Sequence, residues 1–287
     1  MIDPNASLDS AGNGTAKSSE LKSRVLSALA LAFVALGSAW YGGILFGIVW
    51  GIASIAVLSE WQGVIGFSGR KQWASVSIGA IGIIVAEILI LSKFVPPLIG
   101  FAPVLLAGLI NIVFFRRSSP GWVWLFFGPL YAAAVVIGPM VVRGREPEGL
   151  IIIVWLFLVV WISDIGAFFV GRRVGGPKLW PSVSPKKTWS GFFGGLLSGT
   201  LMPILAVYSA KLWLAVGWLE GWPLVLLTVT TALVSECGDL FESAMKRRFG
   251  VKDSGHLIPG HGGIMDRLDS YTAAAFYLLL VSEIFAI

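Results

Sequence analysis

The sequence predicts an all-α, polytopic integral membrane protein with about nine transmembrane helices. Two features of composition carry that prediction: 56% of its 287 residues are hydrophobic and its mean hydropathy is +0.83. It also holds 13 Trp, and together these values lie well outside the range of soluble globular domains. The third observation is patterning. The apolar runs are long and continuous, whereas an outer-membrane barrel needs segments of roughly ten residues with alternating polarity.

Residues 1–20 are polar and rich in Ser, Asn, Gly and Ala, without the basic start and apolar core of a signal peptide. They read as a disordered leader or a cloning scar. From there the chain divides into apolar stretches of roughly the 17–25 residues that a bilayer core requires. Their limits are Val25–Tyr41, Gly43–Leu58, Trp73–Ser92, Leu98–Phe115, Gly121–Val142, Leu150–Val170, Gly191–Ser209, Pro223–Leu240 and Leu268–Ile287. Residues 212–222 are too short to span and, with Trp213, Trp218 and Trp222, read as interfacial. Residues 21–149 form the N-terminal set of helices. Residues 150–287 form a C-terminal transmembrane region with loops at 171–190 and 241–267, the part expected, on the grounds given below, to be catalytic and to put those loops in the cytosol.

The gaps between stretches fix an orientation. Of the 21 Lys and Arg, all but Lys93, Arg143, Arg145 and Lys211 fall on one side of this parse. By the positive-inside rule that side is cytoplasmic, so the N-terminus faces the cytosol and, with an odd number of spans, the C-terminus lies outside. The expected location is the inner membrane, multi-pass, with both charge-rich loops in the cytosol. The net charge of +5 therefore marks orientation and contact with membrane lipid, not nucleic acid. The single Cys, Cys237, excludes an intramolecular disulfide and a cysteine-built zinc site.

Several features read as packing. Gly191, Gly195 and Gly199 repeat every four residues, as do Gly47 and Gly51, the small-residue pattern that lets membrane helices approach closely. Glu60-Trp61 falls where the second stretch leaves the membrane and reads as interfacial. Glu87, mid-membrane in the third, is a functional position by default, although no partner can be named for it.

The chemistry concentrates between Ser235 and Tyr271, a run of mixed charge in a chain that is only 13% charged. It contains both histidines, His256 and His261. If helical, 235–246 puts Ser235, Asp239, Glu242, Ser243 and Lys246 on one face. The Gly-rich turn 259–263 allows close backbone approach, and the chain re-enters a helix carrying Asp266 and Asp269, three residues apart. Capping of that helix explains one of these aspartates. Both together, facing Asp239, make an all-oxygen site for a hard divalent cation, with Mg2+ the natural choice because it binds through one or two carboxylates and substrate phosphates. His261 either donates to phosphate or supports the turn.

Before it, Asp164 ends an almost uninterrupted apolar run and needs a cation, a donor or a water-filled cavity. Ser184-Pro185-Lys186-Lys187-Thr188 offers hydroxyls and ammonium groups in a proline-stiffened loop, suited equally to phosphate oxygens or to lipid headgroups. Neither a Walker A loop nor G-x-G-x-x-G occurs.

At these residues the sequence resembles the phosphatidate cytidylyltransferases, also called CDP-diacylglycerol synthases. Ser243, Lys246, Arg247, Lys252, Asp253, Pro259, His261, Gly262, Gly263, Asp266, Arg267 and Asp269 fit that family's signature, S-x-x-K-R-x4-K-D-x5-P-x-H-G-G-x-x-D-R-x-D. Asp164, Gly166, Ala167, Gly171, Arg172, Ser184, Pro185, Lys187, Thr188 and Gly191 resemble its second conserved region. Lys186 departs from it, where a small residue such as glycine is expected. The specific resemblance covers about the C-terminal half.

The resemblance implies Mg2+-dependent transfer of the cytidylyl group of CTP to phosphatidate, giving CDP-diacylglycerol and diphosphate. It implies that Asp239, Asp266 and Asp269 hold one or two ions, a second being monovalent or divalent. Lys246, Arg267, His261 and Asp269 would act at the reacting phosphates. Ser184, Lys187, Thr188, Arg172, Arg247, Lys252, Gly262 and Gly263 would bind substrate, and Asp164 would orient a base or a second cation. The sequence leaves a homodimer open. An ion-coupled transporter, which would show inverted repeats and midplane charge, fits less well. A lipid kinase is the nearer rival.

Overall fold

The computed structural model describes residues 25–118, 121–214, 218–258 and 262–285. The expectation for residues 1–20 lies outside these. The described chain is a helical bundle with one small β-hairpin. Its elements are α1 (Val25–Tyr41), α2 (Gly43–Val64), α3 (Gly69–Leu91), a short α4 (Pro97–Gly100) leading into α5 (Ala102–Phe115), α6 (Trp122–Arg143), α7 (Gly149–Val174), β1 (Lys178–Trp180), β2 (Ser184–Thr188), α8 (Trp189–Leu214), α9 (Gly221–Arg248) and α10 (Met265–Phe285).

Among the described residues, eight helical spans are long and apolar enough to cross a membrane, with α4 and α5 counting as one. The expected first span, α1, is the shorter ninth at Val25–Tyr41, about 25 Å of helix. Two expectations need correction. The loop 171–190 is partly ordered structure: α7 runs on to Val174, and β1 pairs antiparallel with β2. In the interfacial segment, Trp213 and Trp222 are exposed, but Trp218 packs edge-on against Trp155, 5.1 Å between ring centres.

α6 is the central post. Ala132 to Met140 is buried without interruption, and the helix packs against α2, α5 and α10. The outer surface is apolar, with Phe33, Ile44, Val113 and Leu201 exposed, as a lipid-facing surface demands. Polar contacts tie helices inside: Ser54 Oγ donates to Ala132 O (2.6 Å) and Ser75 Oγ to Asn111 Oδ1 (2.8 Å). The glycine repeat of α8 does what the spacing suggests. A Cβ at Gly195 would lie 2.9 Å from Ser163 O, and one at Gly199 1.9 Å from Ser163 Oγ, so α8 sits directly on α7.

The gaps grouped by charge also meet in space. Phe67 touches Phe115, Phe249 touches Trp124, and Arg247 donates to Val183 O, joining four inter-helix segments at one end of the bundle. At the other end Arg143 donates to Ala39 O and Trp40 O, and Arg145 pairs with Glu283.

Candidate active site

The site lies at the first of these ends, where α7, the hairpin, α8, α9 and α10 converge. Its first half is a cleft of about 620 Å3 between α7, the hairpin, α8 and α9, lined among others by Asp164, Arg172, Lys187, Thr188, Glu236 and Asp239. Lys187 is its hub. Its Nζ lies 3.0 Å from Glu236 Oε2 and 2.8 Å from Asp239 Oδ2. Burial disfavours the ammonium, but the two carboxylates outweigh it and hold its pKa above the ordinary lysine value. Thr188 is buried and accepts from Gly191 N (3.1 Å), so it caps α8 while its surface forms the cleft wall. Arg172 reaches in from α7 with its guanidinium over Phe168. Phe168 and Phe192 line the cleft, and their rings touch the exposed Phe169 and Phe193 on the α7–α8 pair.

The second half is built where α9 meets α10. A Cβ at Gly238 would lie 2.9 Å from Asp269 O, so only glycine lets the helices cross this closely, and the crossing brings Asp239 into the electrostatic reach of Asp269. Two turns on, Lys246 Nζ lies 2.6 Å from Asp266 Oδ1 and 3.2 Å from Glu242 Oε2. Asp266 is otherwise held by backbone: Ser254 N donates to both its oxygens (3.2 and 3.0 Å) and Gly263 N to Oδ2 (2.9 Å). Asp164 lies within the electrostatic range of Asp269, Glu236, Asp239 and Lys187, which joins the two halves.

Not every expected residue joins them. Ser184 starts β2 and is not part of the cleft wall; Arg247 is exposed and donates to Val183 O and Val251 O; Lys252 is exposed. Arg267 is exposed in the first turn of α10 and Gly262 adopts a positive φ of 84°, ending a bridge to Ile258. His261 lies outside the described residues. Three buried carboxylates were not singled out as site residues: Glu236 in the cleft, Glu242 beside Lys246, and Glu60 beneath α10. An acid buried in an apolar helix is itself a signal, and it applies to Glu236 and Glu242.

Among the described residues, no three acidic, His or Cys side chains form a ready-made metal cage. The donor set nevertheless suits a hard cation that completes its shell with water and substrate phosphate. Carboxylates outnumber the lysines here, and Glu236 Oε1 and Glu242 Oε1 are buried without a hydrogen-bond partner. Asp239 and Asp269 lie within electrostatic reach of each other; Asp239 is paired with Lys187 and Ser243, and Asp266 with Lys246 and backbone amides.

Comparison with known proteins identifies the family. A profile of the cytidylyltransferase family matches residues 22–285. A phosphatidate cytidylyltransferase of Brucella suis biovar 1 is 40% identical over 270 residues, covering 93% of this chain and 95% of its own. One of Staphylococcus epidermidis is 46% identical over 139 residues, covering 48% and 52%. With the family profile and a 40% identical relative each matching over nearly its whole length, the chain belongs to the cytidylyltransferase family.

Proposed function

We propose that this protein transfers the cytidylyl group of CTP to phosphatidate, releasing diphosphate and leaving CDP-diacylglycerol in the membrane. The observation that carries this reading is a carboxylate–lysine site at the end of an apolar bundle, with a cleft whose rim continues onto exposed apolar side chains of α7 and α8. A lipid phosphate can enter there while its tails stay in the bilayer.

An oxygen of the phosphatidate monoester attacks the α-phosphorus of CTP, and the bond from that phosphorus to the β-bridging oxygen breaks. Both reactants are anions, so neutralising charge is the main catalytic task. Lys187, Arg172 and the Thr188 wall receive phosphate oxygens in the cleft. Lys246 serves the departing diphosphate. Asp239 and Asp269, supported by Asp266, hold one or two cations, one of them Mg2+; when bound, the ion draws charge from the phosphate oxygens. The excess of basic residues at this end of the bundle supports a site facing the cytosol, where CTP is found, with the chain in the inner membrane of a bacterium.

Detergent-purified protein is incubated with phosphatidate, Mg2+ and CTP labelled in the α-phosphate. Label is expected in the organic phase with wild type. Asp266→Ala is expected to lower it by at least about 10²-fold while the protein still elutes as a folded species. Transfer only from γ-labelled nucleotide would establish a kinase instead, and a folded wild type without any transfer would refute the proposal.

A further inference from the structure

We propose that Glu60, near the C-terminal end of α2, is a positioning residue for the transfer reaction, clamping the segment that sets Asp266 and Asp269 in place. The inference rests on the cytidylyl-transfer reading of the site. Glu60 is 6% exposed, so it is not the solvated interfacial acid that its place in the sequence suggests. Its Oε1 accepts from Ile264 N (3.0 Å), and its Oε2 accepts from Met265 N (2.8 Å) and Ser254 Oγ (2.9 Å).

The two amides lie where α10 begins, among the donors that a helix start leaves without partners, and a carboxylate there also meets the positive end of the helix dipole. A cap normally comes from the adjacent residue. Here it comes from 204 positions away. Ser254 completes the link: its hydroxyl goes to Glu60 and its amide to Asp266. The loop is shaped around this carboxylate. A Cβ at Gly255 would come within 2.6 Å of Glu60 Oε1, and one at Gly263 within 2.4 Å of Oε2. Glu60 itself contacts backbone and a hydroxyl beneath the loop, so its influence on substrate passes through Asp266 and Asp269.

Glu60→Gln keeps the shape but points an amide nitrogen at one of the two backbone donors. In the full-length protein in detergent, it is expected to lower kcat by roughly 10–100-fold with little change in KM for CTP. Amide hydrogen exchange is expected to quicken at Ile264 and Met265 and to stay unchanged across α2–α7. Glu60→Asp, with both acceptors one methylene short, is expected to recover part of the rate. Wild-type kcat in Glu60→Gln, unchanged exchange at 264–265, or general unfolding of the bundle would each overturn the proposal, the last because Glu60 would then be a support of the whole fold. An inactive wild type would instead refute the transfer reading, and with it any role in transfer.

Discussion

Replacing Lys187 by Met tests whether the cleft wall and the chemistry depend on the same ammonium group. Methionine keeps the length of the stem and removes the charge. Glu236, whose side chain is 3% exposed, then loses the partner at 3.0 Å and keeps a second oxygen that already lacks one. Removing one member of a buried ion pair costs about 3–5 kcal/mol. The Lys187 side chain is 22% exposed and Asp239 is 27% exposed, so solvent screens part of this and about 2–3 kcal/mol is expected. That corresponds to a fall on the order of 5 °C in the melting midpoint followed by Trp fluorescence. The double variant Lys187→Met/Glu236→Gln removes the orphaned charge as well, and the stability loss should largely disappear. Transfer activity should not return, because the ammonium aimed at phosphate is still missing. The pKa of Lys187 is raised by its carboxylates against the effect of burial. Its stabilising contribution is therefore complete below the unfolded lysine value of about 10.4 and is lost only above it. On the alkaline side, the Lys187 share of the stability difference should then not fall between about pH 8 and 10. A single variant that melts with wild type would refute the ion-pair argument, and a double variant with restored turnover would refute the substrate role.

Gly195→Ala should destabilise by about 1–3 kcal/mol, since its Cβ would meet Glu236 Oε1 at 2.7 Å and Ser163 O at 2.9 Å; Gly37→Ala, with nothing within 4 Å, is the matched control, and equal midpoints would refute the close α7–α8 packing. Chelation should abolish cytidylyl transfer without changing elution, and added Mg2+ should restore it; full turnover in excess chelator would refute the cation role.

The helices were legible because a bilayer leaves few options: every long apolar run must satisfy its backbone internally, and each expected span corresponds to a helix, from Val25–Tyr41 to Met265–Phe285. The hairpin was not. Ser184–Thr188 contains a proline and two lysines, and it becomes a strand only by pairing with Lys178–Trp180, a partner that strand propensity does not specify. Spacing put Asp239, Glu242 and Lys246 on one face of α9, and Lys246 does reach Glu242, but spacing did not anticipate that Lys246 pairs with Asp266. It did not reveal that Asp266 is gripped by Ser254 and Gly263 amides, because those contacts depend on how the loop folds back. Glu60 was illegible for a stronger reason. Its donors lie beyond seven intervening helices, and no local pattern records such a pairing.

The charge balance of the site limits how it can be filled. Lys187 and Lys246 are each shared between two carboxylates, so neither offers a triphosphate a full positive charge at the start. The same carboxylates repel the incoming anion, and the open cleft only partly screens this. Favourable entry therefore requires the carboxylates to be satisfied by something other than lysine. A hard cation at Asp239 and Asp269 would do this, freeing Lys187 from Asp239 toward phosphate. The basic side chains Arg172, Lys178 and Lys186 at the outer wall would meet an anion before this exchange. Lys186, the one departure from the expected pattern, thus stands where it can help draw an anion in without adding to the ion pairs inside.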